Sequence, residues 1–307
     1  MTSRTDSRVH VAMMNLLWPR DGLSVQDFYD YWVGAHTQIS SRLPGIHQYF
    51  QHQLDPVAGR IFPRIPGAHQ EFEPDEIFYG DAEITFVDAD SLALFAAALN
   101  PLMQDEQNVF SKTISYQAID DNSHTFLDRT PDDSPNGDLG AQQKFMLYIR
   151  RRDDVDLAAF RSELLATIGP ALAAAPETAK VRIRLPEFYD NDAVTLLAPN
   201  VSNREAPERQ YEACIELMFD DALGRQQFGY SDAWSRTAEL LAAVSRTIHT
   251  QRALWTFTVY NHGRITTAGL RTPQIADQIK RLGALNQVGD EVLGLVMRQH
   301  THLETQG

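Results

Sequence analysis

Cysteine is almost absent from this chain. Cys214 stands alone among 307 residues, so neither an intrachain disulfide nor a thiolate metal cluster can form. That usage fits a reducing, cytoplasmic setting, and the plainer role for Cys214 is a small buried hydrophobe in a strand rather than a nucleophile. Positive charge is also short: 27 Lys and Arg stand against 41 Asp and Glu, a formal net charge of −14. This balance argues against nucleic-acid partners, which want a basic surface, and against anionic membranes. No apolar run approaches the ~20 residues of a membrane span. The polar start, Met1 to Arg8, lacks the apolar core of a signal peptide. Glycine-rich phosphate loops and a Gly-x-Ser-x-Gly elbow are missing, which removes the usual nucleotide and hydrolase signatures. Metal binding has little support, because no His-x3-His or similar helical pair occurs.

What is present is enough apolar residue, 43%, to build two small domains or one large one. The most informative stretch is Ser24 to Leu54. Val25, Phe28, Tyr29, Trp32, His36, Ile39 and Leu43 recur every three or four residues and predict one face of a helix. Ser24 is a suitable N-cap, Pro44-Gly45 stops the helix, and strand character follows from Ile46. With strands at 9–17, 78–87 and 109–119 and a helix from Ser91, the order is βαββαβ, a ferredoxin-like unit. The same order returns after a turn-rich stretch, 121–141. Phe28, Pro44 and Asp88 correspond to Phe160, Pro176 and Asp220, each 132 residues later, and both halves put their longest loop between the second and third strands. That predicts a tandem repeat: a unit at 9–120, a linker at 121–141, a degenerate unit at 142–261, and a C-terminal arm and helix at 262–299. Thr272-Pro273 opens the last helix, whose apolar positions from Ile275 to Leu295 are expected to strap across the core.

The first unit resembles the EthD family of the dimeric α+β barrel, ferredoxin-like superfamily. The matching features are Gly22-Leu23-Ser24, Asp27-Phe28, Tyr31-Trp32, His36, Leu43-Pro44-Gly45 and Tyr49, then the acidic pair Asp105-Glu106 followed by Phe110. The resemblance covers roughly 9–120 and implies an α+β fold in which two four-stranded antiparallel sheets pair face to face as a barrel. Here one chain holds both units, so the pairing can be intramolecular. It can leave a pocket between the sheets, and the fused pair is open to further assembly as a homodimer.

Strand alternation then assigns inward faces. In the first unit it points His47, Tyr49, Asp81 and Glu83 between the sheets. In the second it points Tyr148, Arg150, Arg182, Arg184 and Glu216 there. A one-residue register error would exchange the faces. His36 has a plain reading, a core histidine bonded to a carbonyl, and a functional one, a proton carrier. The resemblance favours the second. It implies a cofactor-independent lyase or isomerase acting by acid/base chemistry on an aromatic or polyketide-like small molecule, taken here as an acid. His36, Tyr49 and His47 are the expected catalytic residues. Trp32, Asp81 and Glu83 are expected to bind substrate, with Arg182 and Arg184 anchoring its anion. The alternatives are a haem enzyme of the same superfamily with an axial histidine, and a non-catalytic small-molecule-binding protein. Ile168 takes the place of His36 in the second unit, so the site is expected in the first.

Overall fold

A computed structural model describes residues 8–57, 61–120, 122–130, 142–194 and 196–297. Most of the turn-rich stretch expected as a linker (131–141), Gly59 of the first long loop, residues 1–7 and the end of the last expected helix (298–299) lie outside the described residues.

The first unit comprises β1 (Val11–Pro19), α1 (Val25–Tyr31), α2 (Thr37–Ser40), β2 (Gln48–Leu54), β3 (Gly80–Phe86), α3 (Ala89–Ala98), α4 (Asn100–Glu106) and β4 (Phe110–Ile119). After β5 (Ser123–Asp128), the second comprises β6 (Gln143–Arg151), α5 (Leu157–Glu163), α6 (Gly169–Ala174), β7 (Thr178–Arg184), β8 (Ala213–Phe219), α7 (Ala222–Gly229), α8 (Asp232–Val244) and β9 (Ser245–Asn261). The chain ends in β10 (Arg264–Ile265), α9 (Thr267–Arg271), α10 (Pro273–Leu282) and α11 (Asp290–Val296).

The repeat extends to fine detail. Ser24 accepts the Asp27 N–H at the start of α1, and Asp156, 132 residues later, accepts from Ala158 and Ala159 at the start of α5. Each helix then passes through a five-residue π turn, Trp32–His36 in one unit and Leu164–Ile168 in the other, at the same offset. A π turn leaves one carbonyl without its usual i+4 partner, and the Thr37 hydroxyl donates to the Trp32 carbonyl at 2.6 Å.

The strand order is β4-β1-β3-β2-β9-β6-β8-β7-β5, with all pairings antiparallel. β4 and β5 are consecutive in the chain yet lie at opposite ends of this order, so the sheet closes on itself as a barrel. The second closure is the long strand β9, whose first part pairs with β6 of its own unit and whose second part pairs with β2. The predicted α+β architecture of two ferredoxin-like units sharing one intramolecular barrel is therefore present. Ser123–Asp128, expected within the linker, forms the strand that completes it. Its half-buried Ser-His-Thr-Phe-Leu-Asp run has no clean apolar alternation, and pairing with β7 makes it a strand.

Three apolar layers result. Met14, Leu16, Leu54, Met146 and Tyr148 meet inside the barrel. Outside it, each unit packs its helices on the other sheet face, as with Phe28, Trp32 and Ile84 in the first unit and Phe160, Leu164 and Ile215 in the second. The helical run 157–174 is long and apolar enough, by composition alone, to cross a membrane. Phe160, Leu164, Ile168 and Leu172 are nonetheless buried on their own sheet, so it packs as a core helix.

The last helices differ from expectation. Thr272 does cap α10 through Ile275 N, but Leu282 and Leu285 are 73% and 77% exposed and Leu295 is exposed as well. This apolar stripe does not strap the core, whose outer faces are already covered by α1–α8.

Candidate active site

The chain holds a cavity of about 450 Å³, and it does not lie between the sheets. It lies on the opposite face of the first unit's sheet, under the helices. The floor is the helix-facing side of the sheet: Met13, Asn15 and Leu17 from β1, Ala82 and Ile84 from β3, and Thr113, Ser115 and Gln117 from β4. Trp32 and His36 line it from the π turn, and Leu102 and Glu106 from α4. The remaining wall comes from the second unit, whose loop between β7 and β8 contributes Glu187, Phe188, Tyr189, Asp190 and Val194. The expected inter-sheet pocket is instead filled by side chains, because each strand carries large groups on its inner face.

His36 is buried, and its ring packs edge-on against Phe110 at 5.2 Å. Its Nδ1 lies 2.9 Å from Asp105 Oδ2. The other oxygen of Asp105 accepts from Tyr31 Oη at 2.7 Å and from Asn108 Nδ2 at 3.0 Å. Burial pushes the Asp105 carboxyl up, but the hydrogen bonds from His36, Tyr31 and Asn108 outweigh it and hold the group below the usual carboxylate range. An ionised Asp105 can only accept, so Nδ1 carries the proton. In the neutral ring Nε2 then holds the lone pair, and it has no hydrogen-bond partner among the described residues.

Glu106, the next residue, behaves in the opposite sense. Burial, opposed by a hydrogen bond from Thr113 and reinforced by the charge of Asp105, lifts its carboxyl to about 7. Thr113 Oγ1 donates to it at 3.2 Å. Two adjacent carboxyls thus have their proton affinities driven apart, the pattern that separates a charged helper from a neutral acid. The motif Leu43-Pro44-Gly45 fixes the chain turn behind the site. Gly45 has φ +83°, and a Cβ there would sit 2.1 Å from the Ser91 carbonyl oxygen, a position only glycine can occupy.

The predicted site residues divide into three groups. His36, Trp32 and Tyr49 line the cavity. Tyr49 reaches it from β2, with its hydroxyl 3.3 Å from Ser40 Oγ and accepting from Gln51 Nε2 at 3.0 Å; burial raises it to about 12. His47 is not part of the lining, and lies beside His262 with ring centroids 5.7 Å apart. Asp81, Glu83, Arg182 and Arg184 do point into the barrel as predicted, and there they pair with one another. Arg182 forks onto both oxygens of Glu83 at 2.7 and 2.5 Å and also reaches Glu216, while Arg184 and Tyr148 both donate to Asp81 at 2.9 Å.

The face assignment fails for β2 alone. Residues opposed in a ladder share a face, and His52 pairs with Asp81 and Phe50 with Glu83. His52, Phe50 and Leu54 therefore point into the barrel, and Tyr49 and Gln51 point to the helices. The physical reason is that both faces accept polar groups. His52 finds Thr256 at 3.0 Å and Glu83 at 3.6 Å inside, and Gln51 finds Thr37 at 2.8 Å outside.

Sequence reasoning missed the floor and the roof. The polar alternation of Thr113, Ser115 and Gln117 was a legible strand face, whereas the second unit's loop carries no local sign of where it docks. The corresponding space in the second unit is plugged. Phe62, from the first unit's long loop, stacks on Trp234 at 4.8 Å and meets Phe145, Phe219 and Phe228. Each unit's long loop thus covers the other unit's sheet–helix layer, one loop filling it and the other roofing a cavity.

No curated protein matches the sequence. Among solved structures, a candidate monooxygenase of Fusobacterium nucleatum aligns over 84% of this chain and 97% of its own, at 7% identity and a TM-score of 0.52. A candidate monooxygenase of Lactobacillus acidophilus covers 84% and 99%, at 9% identity and a TM-score of 0.48. An anthrone oxidase-like protein covers 84% and 95%, at 12% identity and 0.49. At such identity the likeness to the first of these shows a shared fold alone. Residues 20–129 match the sequence profile of the EthD domain. The match covers the N-terminal unit, which over these residues is similar to the EthD domain family.

Proposed function

We propose that this chain is an acid/base enzyme that removes a proton next to a carbonyl or from a phenol of an aromatic or polyketide-like small molecule. The observation that carries this reading is the His36–Asp105 pair at 2.9 Å with Nε2 left for the cavity. Nε2 takes the substrate proton, and the charge of Asp105 stabilises the imidazolium that forms. Glu106, lifted to about 7, is protonated below that pH and returns a proton to oxygen or carbon. Tyr49 keeps its phenolic proton and can donate to an enolate oxygen. Dehydration, decarboxylation or cyclisation then follows from the substrate's own leaving groups, which makes the enzyme a lyase or isomerase. Residue usage, with a single buried Cys214, suits a cytoplasmic setting.

A second reading starts from the same deprotonated intermediate and captures it with dioxygen. The monooxygenase name of the Fusobacterium structure favours it. Haem suits this cavity poorly. Its lining holds Glu106, Glu187 and Asp190 but no Lys or Arg to meet two propionates.

Exchange of the methylene protons of anthrone in deuterium oxide, followed by NMR, tests the proton-transfer step. Wild-type chain accelerates the exchange, and His36→Ala loses about 10² to 10⁴-fold of it with an unchanged circular dichroism spectrum. Equal exchange by both proteins removes His36 from the chemistry. An oxygen electrode run with the same substrate separates the two readings.

A further inference from the structure

The cavity's charges describe its substrate more closely than its shape does. Every titratable side chain that lines it, apart from His36 and the tyrosines, is a carboxyl: Glu106 inside, Glu187 and Asp190 at the exposed rim. An anion entering would lose its water with no Lys or Arg in the lining to replace it and two rim carboxylates at the mouth, a strongly unfavourable exchange. A cation fares little better in the interior, where the lining is largely apolar and Glu106 is protonated below about 7; at the rim the carboxylates keep their charge but already have local partners. Glu187 accepts from Asn122 Nδ2 at 2.8 Å and lies 3.4 Å from Arg161, and Asp190 accepts the Asp192 N–H at 2.9 Å. The floor supplies a different kind of recognition. Ser115 and Gln117 line the cavity from one face of β4, and neither side chain has a hydrogen-bond partner among the described residues. Two residues apart on a strand places them about 7 Å apart, a spacing that suits oxygens carried on a ring system.

We propose that the cavity selects an uncharged, largely apolar ring compound bearing hydroxyl or carbonyl oxygens, and turns carboxylates away. This rests on reading the cavity as the active site, and it replaces the acid expected from sequence: Arg182 and Arg184, the expected anion anchors, are committed to Glu83 and Asp81 inside the barrel. Glu187 and Asp190 act as specificity-determining residues.

The test is binding, not turnover, measured by isothermal titration with three probes that differ in one substituent. These are anthracenemethanol (neutral), anthracene carboxylate (anionic) and anthracenemethylamine (cationic). The expected result is that the alcohol binds at least about tenfold more tightly than either charged probe. In the double variant Glu187→Gln/Asp190→Asn, carboxylate affinity rises about three- to tenfold, the scale of two partly screened charges, while the alcohol changes less than about twofold. Carboxylate or amine binding as tightly as the alcohol overturns the proposal, and so does failure of all three to bind. An unmoved carboxylate in the double variant removes Glu187 and Asp190 from the selection. Loss of proton exchange in His36→Ala is read separately, so acid/base chemistry can fail while the charge preference stands, and the reverse.

Discussion

At the scale of single residues, the chemistry depends on two carboxyls that are neighbours in sequence and opposites in behaviour. Asp105 is held ionised by three donors, and its contribution to His36 is orientation and charge. In Asp105→Asn the pairing geometry can persist without the charge, so kcat is expected to fall about 10² to 10⁴-fold with KM little changed. A variant whose KM rises while kcat holds would make Asp105 a binding residue instead. Glu106 makes a pH prediction. Its carboxyl is raised from an ordinary 4.5 to about 7 in the folded chain, so the folded state keeps a proton there that the unfolded state has released. Stability therefore falls as pH rises from 4.5 through 7. Glu106→Gln, which cannot ionise, should gain thermal stability relative to wild type as pH is raised from 5 to 9. Calorimetry at both pH values checks this, and a gain that does not grow with pH would contradict it.

At the scale of elements, the loops between second and third strands decide which unit holds a site. Phe62 occupies the second unit's layer, and truncating it to alanine should cost about 3–5 kcal/mol in urea unfolding while leaving proton exchange intact. A loss of exchange at full folding would mean that the two layers communicate. The turn after α2 makes a stricter demand. Gly45→Ala must place a methyl against the Ser91 carbonyl at a positive φ, so it should destabilise by more than about 2 kcal/mol. The π turn is the other element-level device. With more residues per turn than an α-helix, it brings Trp32 and His36 close to one face, where both line the cavity.

At the scale of the whole molecule, the barrel is a union of two halves of opposite charge. Asp81 and Glu83 on β3 of the first unit face Arg182 and Arg184 on β7 of the second, all largely buried. Burial alone would raise Glu83, but Arg182 and Arg184 prevail and hold it well below the ordinary range. Such a network is costly to break on one side and cheap to remove on both. Glu83→Gln and Arg182→Met should each destabilise by about 3–5 kcal/mol, and the double variant by clearly less than their sum. Additive losses would show that the pair is not coupled. The same network accounts for Asp81, Glu83, Arg182 and Arg184, expected to bind substrate: they are paired with one another, and the two units meet through them.

Much of this was legible in the sequence, because it rested on periodicity and caps. The helical face from Phe28 to Leu43, the βαββαβ order and the 132-residue repeat are local patterns, written in residues that contact their sequence neighbours. His36 could be named because it sits on that face, whereas Asp105-Glu106 stood out only as a family-like acidic pair before the last strand, with no role at the site assigned to it. Which side of β2 faces the barrel was not legible, since His52 and Tyr49 are both polar rings and both sides offered partners. The position of the cavity was decided only by the tertiary structure. It depends on a loop more than a hundred and fifty residues from His36 closing over one layer and on Phe62 filling the other, and no local pattern encodes how two distant loops divide the space between them.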